Sequence, residues 1–352
     1  MRRLFILSLL LASTAFAAPR RRVVFQPCSL ITGTPGVTIT RNEGLTLTPD
    51  AEPLTGVGYT YGLAALDAST LLSWHKDTLS ISTDGGCSWR PLGSWQTEFP
   101  PSITNAGGGR AFAWSDNRQF LLRYDARGPQ LLKSPVTGDT TIIGLGAQGD
   151  HVRVGDSAGN LWDSIDGGDS FSPINRLPLA SPTFAYRFAF DPANLDHILA
   201  GTASQGAFVT FDGGRNWART SLADGYNVMN FAISPADPNV VWAMAVDGRN
   251  STKAIHGSKD GGRTFVPVVQ AGAGVTIINQ PVMAAHPTNP NVFYFVFGSH
   301  FQNYGTDLFR YDAVNGLTLT HNDHHDINSI AFSPTDPSVM YLGLEVEFVG
   351  GF

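Results

Sequence analysis

Charge is scarce in this chain: Asp, Glu, Lys and Arg make up 15% of its 352 residues, and the formal net charge is −6. Sequence-independent nucleic-acid binding needs a basic footprint to neutralise phosphates, so this composition excludes it. The one basic run, Arg20-Arg21-Arg22, reads as a solvated chain end. Long apolar runs are lacking too once the first residues are passed, whereas a membrane span would need about 18 in succession. No convincing amphipathic helix is present. Apolar residues come instead in short runs among 38 glycines, the pattern of an all-β protein with many tight turns. Cysteine is nearly absent, with Cys28 and Cys87 the only two.

The first residues are the exception. Arg2 and Arg3 precede an apolar run from Leu4 to Leu11 that ends in small residues. This is the pattern of a secretory signal peptide, residues 1–17, with Ala15-Phe16-Ala17 as the cleavage site. The mature chain is therefore expected to be soluble, monomeric, and secreted or periplasmic. Neither cysteine follows the leader in a lipobox-like context, which argues against a lipid anchor on an N-terminal cysteine. In an oxidising compartment both are free to pair.

Four segments share the pattern S/T-x-D-x-G-x-S/T/N-aromatic: Ser82 to Trp89, Ser164 to Phe171, Thr210 to Trp217 and Ser258 to Phe265. Their aspartates, Asp84, Asp166, Asp212 and Asp260, are 82, 46 and 48 residues apart, so the first interval is almost two of the others. A degenerate copy around Asp125 splits it into 41 and 41, and further degenerate copies lie at Asp312 and at Asn42, where Asn replaces Asp. That makes seven. The pattern resembles the Asp box of bacterial sialidases, sortilins and xyloglucanase-type propellers. The role of such a box is local: its aspartate accepts hydrogen bonds from backbone N–H groups of its own turn, glycine supplies a positive φ, and the aromatic residue plugs the core below. The row of carboxylates is therefore read as structural. A Cys28–Cys87 disulfide would tie the N-terminal segment, residues 18–34, to the first full box; two separate thiols are the alternative.

A second phrase recurs, an apolar strand stopped by a turn containing proline: Phe188 to Pro192, Phe231 to Pro235, Met283 to Pro287 and Ile330 to Pro334. Each unit then supplies four strands, A to D, with the proline turn joining A to B and the box joining C to D. Units of this size are propeller blades. Residues 35–352 are thus expected to form a single seven-bladed β-propeller of four-stranded blades. The C-terminal segment offers only strands A and B, and the box at Asn42 only C and D, so the two termini are expected to share one blade and close the ring.

The A–B turns and boxes fall on one face of the disc; the B–C loops and D–A connections fall on the other. In Asp-box families the ligand site typically lies on the second face, near the axis. Candidates by that resemblance are His75-Lys76-Asp77, Arg118, Tyr186-Arg187, Tyr226, Asp247-Gly248-Arg249, His300 to Tyr304, His321 to Asp326, Glu345 and Glu347. Glu345 and Glu347 are two of only five glutamates and share a strand face. With His300, His321, Asp323, His324, His325 and Asp326 they could hold a divalent metal or an acid/base pair. The alternative is a set of solvated loop residues at the start of a strand.

The sialidase resemblance demands an Arg-Ile-Pro motif, which is absent, and three arginines for the substrate carboxylate, for which Arg110, Arg187 and Arg249 are the candidates. Xyloglucanase-type enzymes set their cleft between two propellers, and this chain has room for one. Sortilins and photosystem II assembly factors resemble the repeat and bind polypeptides, so the leading expectation is a non-catalytic propeller that binds a protein or glycan on the face opposite the boxes. An extracellular protease or another secreted protein is the expected kind of partner; a glycoside hydrolase is the alternative function.

Overall fold

The computed structural model describes residues 28–345 except 34, 53–57, 98–99, 116–118, 181–182, 273–274, 278, 280, 298–305 and 324–325. The leader and the Arg20–Arg22 run lie outside the described residues. The strands form six four-stranded antiparallel sheets and one three-stranded sheet, arranged as a seven-bladed β-propeller with no helix among the described residues.

Strands A to D of blade 1 are Gly62–Ala65, Leu71–His75, Thr78–Ser82 and Arg90–Ser94. Those of blade 2 are Ser102–Gly107, Arg110–Trp114, Leu121–Asp125 and Gly128–Leu131, and of blade 3 Ile142–Gln148, His151–Asp156, Asn160–Ser164 and Ser172–Arg176. Blade 4 has Ala185–Asp191, Asn194–Thr202, Ala207–Thr210 and Ala218–Arg219; blade 5 has Tyr226–Ile233, Val241–Asp247, Thr252–Ser258 and Val266–Gln270. Blade 6 has Met283–Ala285, Val292–Phe297, Thr306–Asp312 and Gly316–Asp323. In each blade A is innermost, and each A strand packs on the next around the axis. Both faces of a blade are covered by its neighbours, so central strands read as continuous apolar runs rather than alternating ones: Val292, Phe293, Tyr294 and Phe295 are all buried.

Blade 7 closes the ring from both ends of the chain. Its strands A and B, Asp326–Phe332 and Met340–Glu345, come from the C-terminal part, and its strand C, Val37–Thr40, from the N-terminal part, in the register Val37↔Gly343 to Thr40↔Met340. A fourth strand does not form among the described residues; the Thr48 N–H donates to the Ile39 carbonyl on the outer side of strand C.

The full repeats fold alike. In the first, Asp84 Oδ1 accepts the Cys87 and Ser88 amides at 3.1 and 2.9 Å, and the Gly86 amide donates to Ser82 Oγ at 2.9 Å. Asn42 makes the same turn, accepting the Thr46 amide at 2.9 Å while Gly44 donates to Thr40 Oγ1. The other two degenerate copies depart from it. Asp125 and Gly128 pair directly across a two-residue hairpin, and Asp312 spans a three-residue loop to Gly316. The shorter connections leave no room for the full turn; each aspartate instead accepts the amide two residues on.

Neighbouring blades are latched at the fourth position of these turns. Arg123 of blade 2 donates to the Gly167 carbonyl at 2.9 Å, and His197 of blade 4 meets the Gly261 carbonyl at 2.9 Å. Arg153 of blade 3, also buried, holds Asp196 of blade 4 at 2.8 Å. At the seam between blades 6 and 7 the fourth position is Glu43, held at φ 60° where the four full repeats have glycine at 74–77°. Its carboxylate accepts the Tyr294 hydroxyl at 2.7 Å and Arg310 Nε at 3.2 Å. Burial, and then this contact, pushes the Tyr294 hydroxyl well above the usual tyrosine range. The left-handed conformation costs about 1 kcal/mol and is tolerated for the sake of the side chain. Glu43→Ala is expected to cost about 1–3 kcal/mol by stranding a buried hydroxyl, and Glu43→Gly less, since glycine relieves the strain. Urea midpoints of the two variants measure this; no loss in either would remove the latch.

Candidate functional site

Strand polarity decides which side chains can meet. Arg110 opens strand B of blade 2 directly after an A–B turn, so it lies on the box face, where it pairs with Asp150. Arg187, near the start of strand A of blade 4, and Arg249, in the B–C turn of blade 5, are on the opposite face. The three arginines named as candidates for a substrate carboxylate therefore do not share a face. Arg187 stacks over the Trp114 ring, 5.3 Å from its centroid. Arg249 donates through Nε and Nη2 to the Asp247 carboxylate, both at 2.8 Å, and lies 5.5 Å from the Tyr226 ring centroid. The Arg249 hydrogen bonds hold the Asp247 carboxyl below its usual range.

Of the five non-glycine residues with positive φ among the described residues, four occupy B–C turns: Lys76, Gln119, Ser204 and Ser251. The left-handed positions of the four full box turns are all glycine. Four of the five strained non-glycine positions thus lie on one face. Aromatic residues enter strand A on the same face. Tyr59 stacks on Tyr61 with centroids 5.7 Å apart, and Phe184 meets Tyr186 edge-on at 4.8 Å with half of Phe184 exposed. Aromatic rings and guanidinium groups are enriched at the centres of protein-binding surfaces, the rings because they offer a large contact area for little ordering entropy and arginine because it stacks on rings and donates several hydrogen bonds.

At the blade 1 end of this face, His75 meets Thr60 Oγ1 through Nδ1 at 2.8 Å. Burial, reinforced by the charge of Lys76, lowers its pKa to about 4, so it is neutral at physiological pH. Asp50, just before the connection into blade 1, is raised by burial to about 6. Its Oδ1 has no partner among the described residues.

The structure only partly places the His/Asp-rich corner. His300, Tyr304, His324, His325, Glu347 and Arg118 lie outside the described residues. The backbones of Asp326 and Glu345 are register partners at the end of blade 7, whereas His321 and Asp323 sit on strand D of blade 6, paired with Leu308 and Thr306. No group of three or more His, Cys, Asp or Glu side chains among the described residues is placed to hold a metal ion.

Comparison with known proteins gives a decisive likeness. Over 346 residues the chain is 44% identical to the dispase autolysis-inducing protein of Streptomyces mobaraensis, spanning 90% of this chain and 88% of that protein. The chain belongs to that protein's family. No protein-family model matches it. Among solved structures, a family member's fold is shared by YCF48 bound to D1 peptide, with a TM-score of 0.57 at 12% identity over 83% of this chain and 95% of that one. The GH74 xyloglucanase from Xanthomonas campestris gives 0.56 at 16% identity over 85% of this chain and 55% of its own. At such identities these two likenesses establish the propeller and nothing finer.

Proposed function

We propose that the protein is a secreted, non-catalytic propeller that binds an extracellular protease and promotes its autolysis. The observation that carries this reading is the 44% identity, sustained over nearly the whole of both chains, to a protein that induces autolysis of dispase. The aromatic and arginine groups on the face opposite the boxes support a polypeptide as the ligand and that face as its site, with Tyr226, Arg249, Phe184, Tyr186 and Arg187 in contact. The repeated turns, each built on an aspartate that accepts amides of its own turn, support a reading of the chain as an Asp-box propeller.

The action needs no chemistry from the propeller itself. Proteases cut segments that are locally unfolded and extended. A binder that prefers the open form of a protease raises its population in proportion to its differential affinity. Other protease molecules then cleave what has been opened.

The test is to incubate purified protein with dispase and follow residual protease activity and intact dispase chain with time. The expected result is a half-life of dispase that shortens with added protein and saturates. An unchanged half-life at saturating protein removes this reading.

A further inference from the structure

The outer strand of a blade is a sheet edge, and an exposed edge is a template for another extended chain unless something blocks it. In this protein the blocking device is visible. Strand D carries proline at its second residue in blades 1, 2, 3 and 5: Pro91, Pro129, Pro173 and Pro267. In blade 4 strand D is cut to two residues, and in blade 7 the outer side of strand C already receives the Thr48 amide. Blade 6 is different. Its strand D, Gly316–Asp323, has eight residues and no proline. Among the described residues no strand pairs on its outer side, and Leu319 is 48% exposed.

The register shows which backbone groups are turned outward. Pro129 pairs with Tyr124, the residue before Asp125, and Leu317 pairs with Tyr311, the residue before Asp312. Leu317 thus stands where blade 2 has its proline. Proline has no N–H to give to a ladder, so at that place the N–H direction is away from the blade. Leu319, two residues on in unbroken register, faces the same way. Outward N–H groups therefore stand at Leu317 and Leu319, ahead of the register shift at Thr320.

We propose that this edge of blade 6 is a docking site for an extended segment of the protease, which adds to the blade as a fifth antiparallel or parallel strand; this rests on the proposed action on a protease. A ladder of alternating backbone donors and acceptors is matched by another extended backbone and by no other common ligand chemistry, which fixes the occupant as polypeptide. The strand runs from the box face to the opposite face along the outer rim of blade 6. Strand addition holds the segment in the extended form that a second protease molecule cuts at its ends.

The experiment compares the full-length protein with Leu319→Pro, which removes an outward N–H, and Leu319→Lys, which places a charge on the edge. Binding of active-site-blocked dispase, amide exchange at Leu317 and Leu319, and melting temperature are measured. Wild-type protein should bind with slowed exchange at both amides, and both variants should melt normally and bind about tenfold more weakly. If wild type shortens the life of dispase while both variants bind as well as wild type, the edge is overturned and the function stands. Slowed exchange at the B–C turns but not at Leu317 and Leu319 has the same meaning. If Leu319→Pro fails to fold, Leu319→Lys and the exchange data decide alone. Wild-type protein that neither binds nor shortens the life of dispase overturns both proposals.

Discussion

Deleting residues 35–50 is expected to abolish cooperative folding of the entire ring rather than unravel one hairpin. The deletion removes strand C of blade 7, whose Val37, Thr38, Ile39 and Thr40 are all buried. Burial of Val37 and Ile39 alone contributes about 1.5–3 kcal/mol each. The same cut takes away Glu43 and its contacts with Tyr294 and Arg310, and leaves Met340–Glu345 as an open edge. It also strips one wall from the core shared by blades 7 and 1, where Ile39 and Val37 pack with Leu63, Leu71, Trp89 and Tyr341. The combined loss is on the order of 10 kcal/mol, comparable with the whole stability of a typical domain. Thermal unfolding followed by near-ultraviolet circular dichroism checks it. A truncated protein that keeps a sharp transition at the wild-type temperature would mean that the ring does not depend on the shared blade.

The sharing of that blade is legible in the chain because the box is a complete local instruction. Ser82, Asp84, Gly86 and Ser88 satisfy one another within a single turn, so the pattern survives wherever it is placed, and an Asn at 42 can serve for Asp. Counting the turns counts the blades. The latches between blades are not legible in this way. Arg123 and His197 reach backbone carbonyls of Gly167 and Gly261, 44 and 64 residues away, and a carbonyl leaves no trace in residue identity. The separation of Arg110 from Arg187 and Arg249 is not legible from spacing for a related reason: spacing gives the blade, but the end of the strand gives the face. The proline-free outer strand of blade 6 does leave a trace, in the long strand where Leu317 stands in place of a proline. It becomes readable only once the blades are aligned by their register.

The second large effect concerns the seam between blades 7 and 1, which is fastened from outside the sheets. Cys28 and Cys87 are joined as a disulfide, with Cα atoms 5.6 Å apart, and Cys87 belongs to the box of blade 1. Between Cys28 and strand C of blade 7 the chain runs against both blades: Thr32 bridges Ser88, and Ile31, fully buried, bridges Asp50. The Ile31 amide donates to the Pro49 carbonyl and the Trp89 amide to the Thr32 carbonyl, at 2.9 and 3.0 Å. The cross-link thus holds a segment that already spans the seam, and it restrains the unfolded chain across 59 residues. For a loop of that length the chain-entropy contribution is about 4 kcal/mol, with measured effects typically about 2–4. Replacing both cysteines by serine is therefore expected to lower the unfolding free energy by about 2–4 kcal/mol, with the chain still folded at room temperature. Adding reductant to the wild type should reproduce most of that loss, because it acts on the same restraint. Thiol titration of denatured, unreduced protein should find no free cysteine. Two free thiols, or a double variant with an unchanged denaturation midpoint, would mean that the seam is held by the buried contacts of Ile31 and strand C alone.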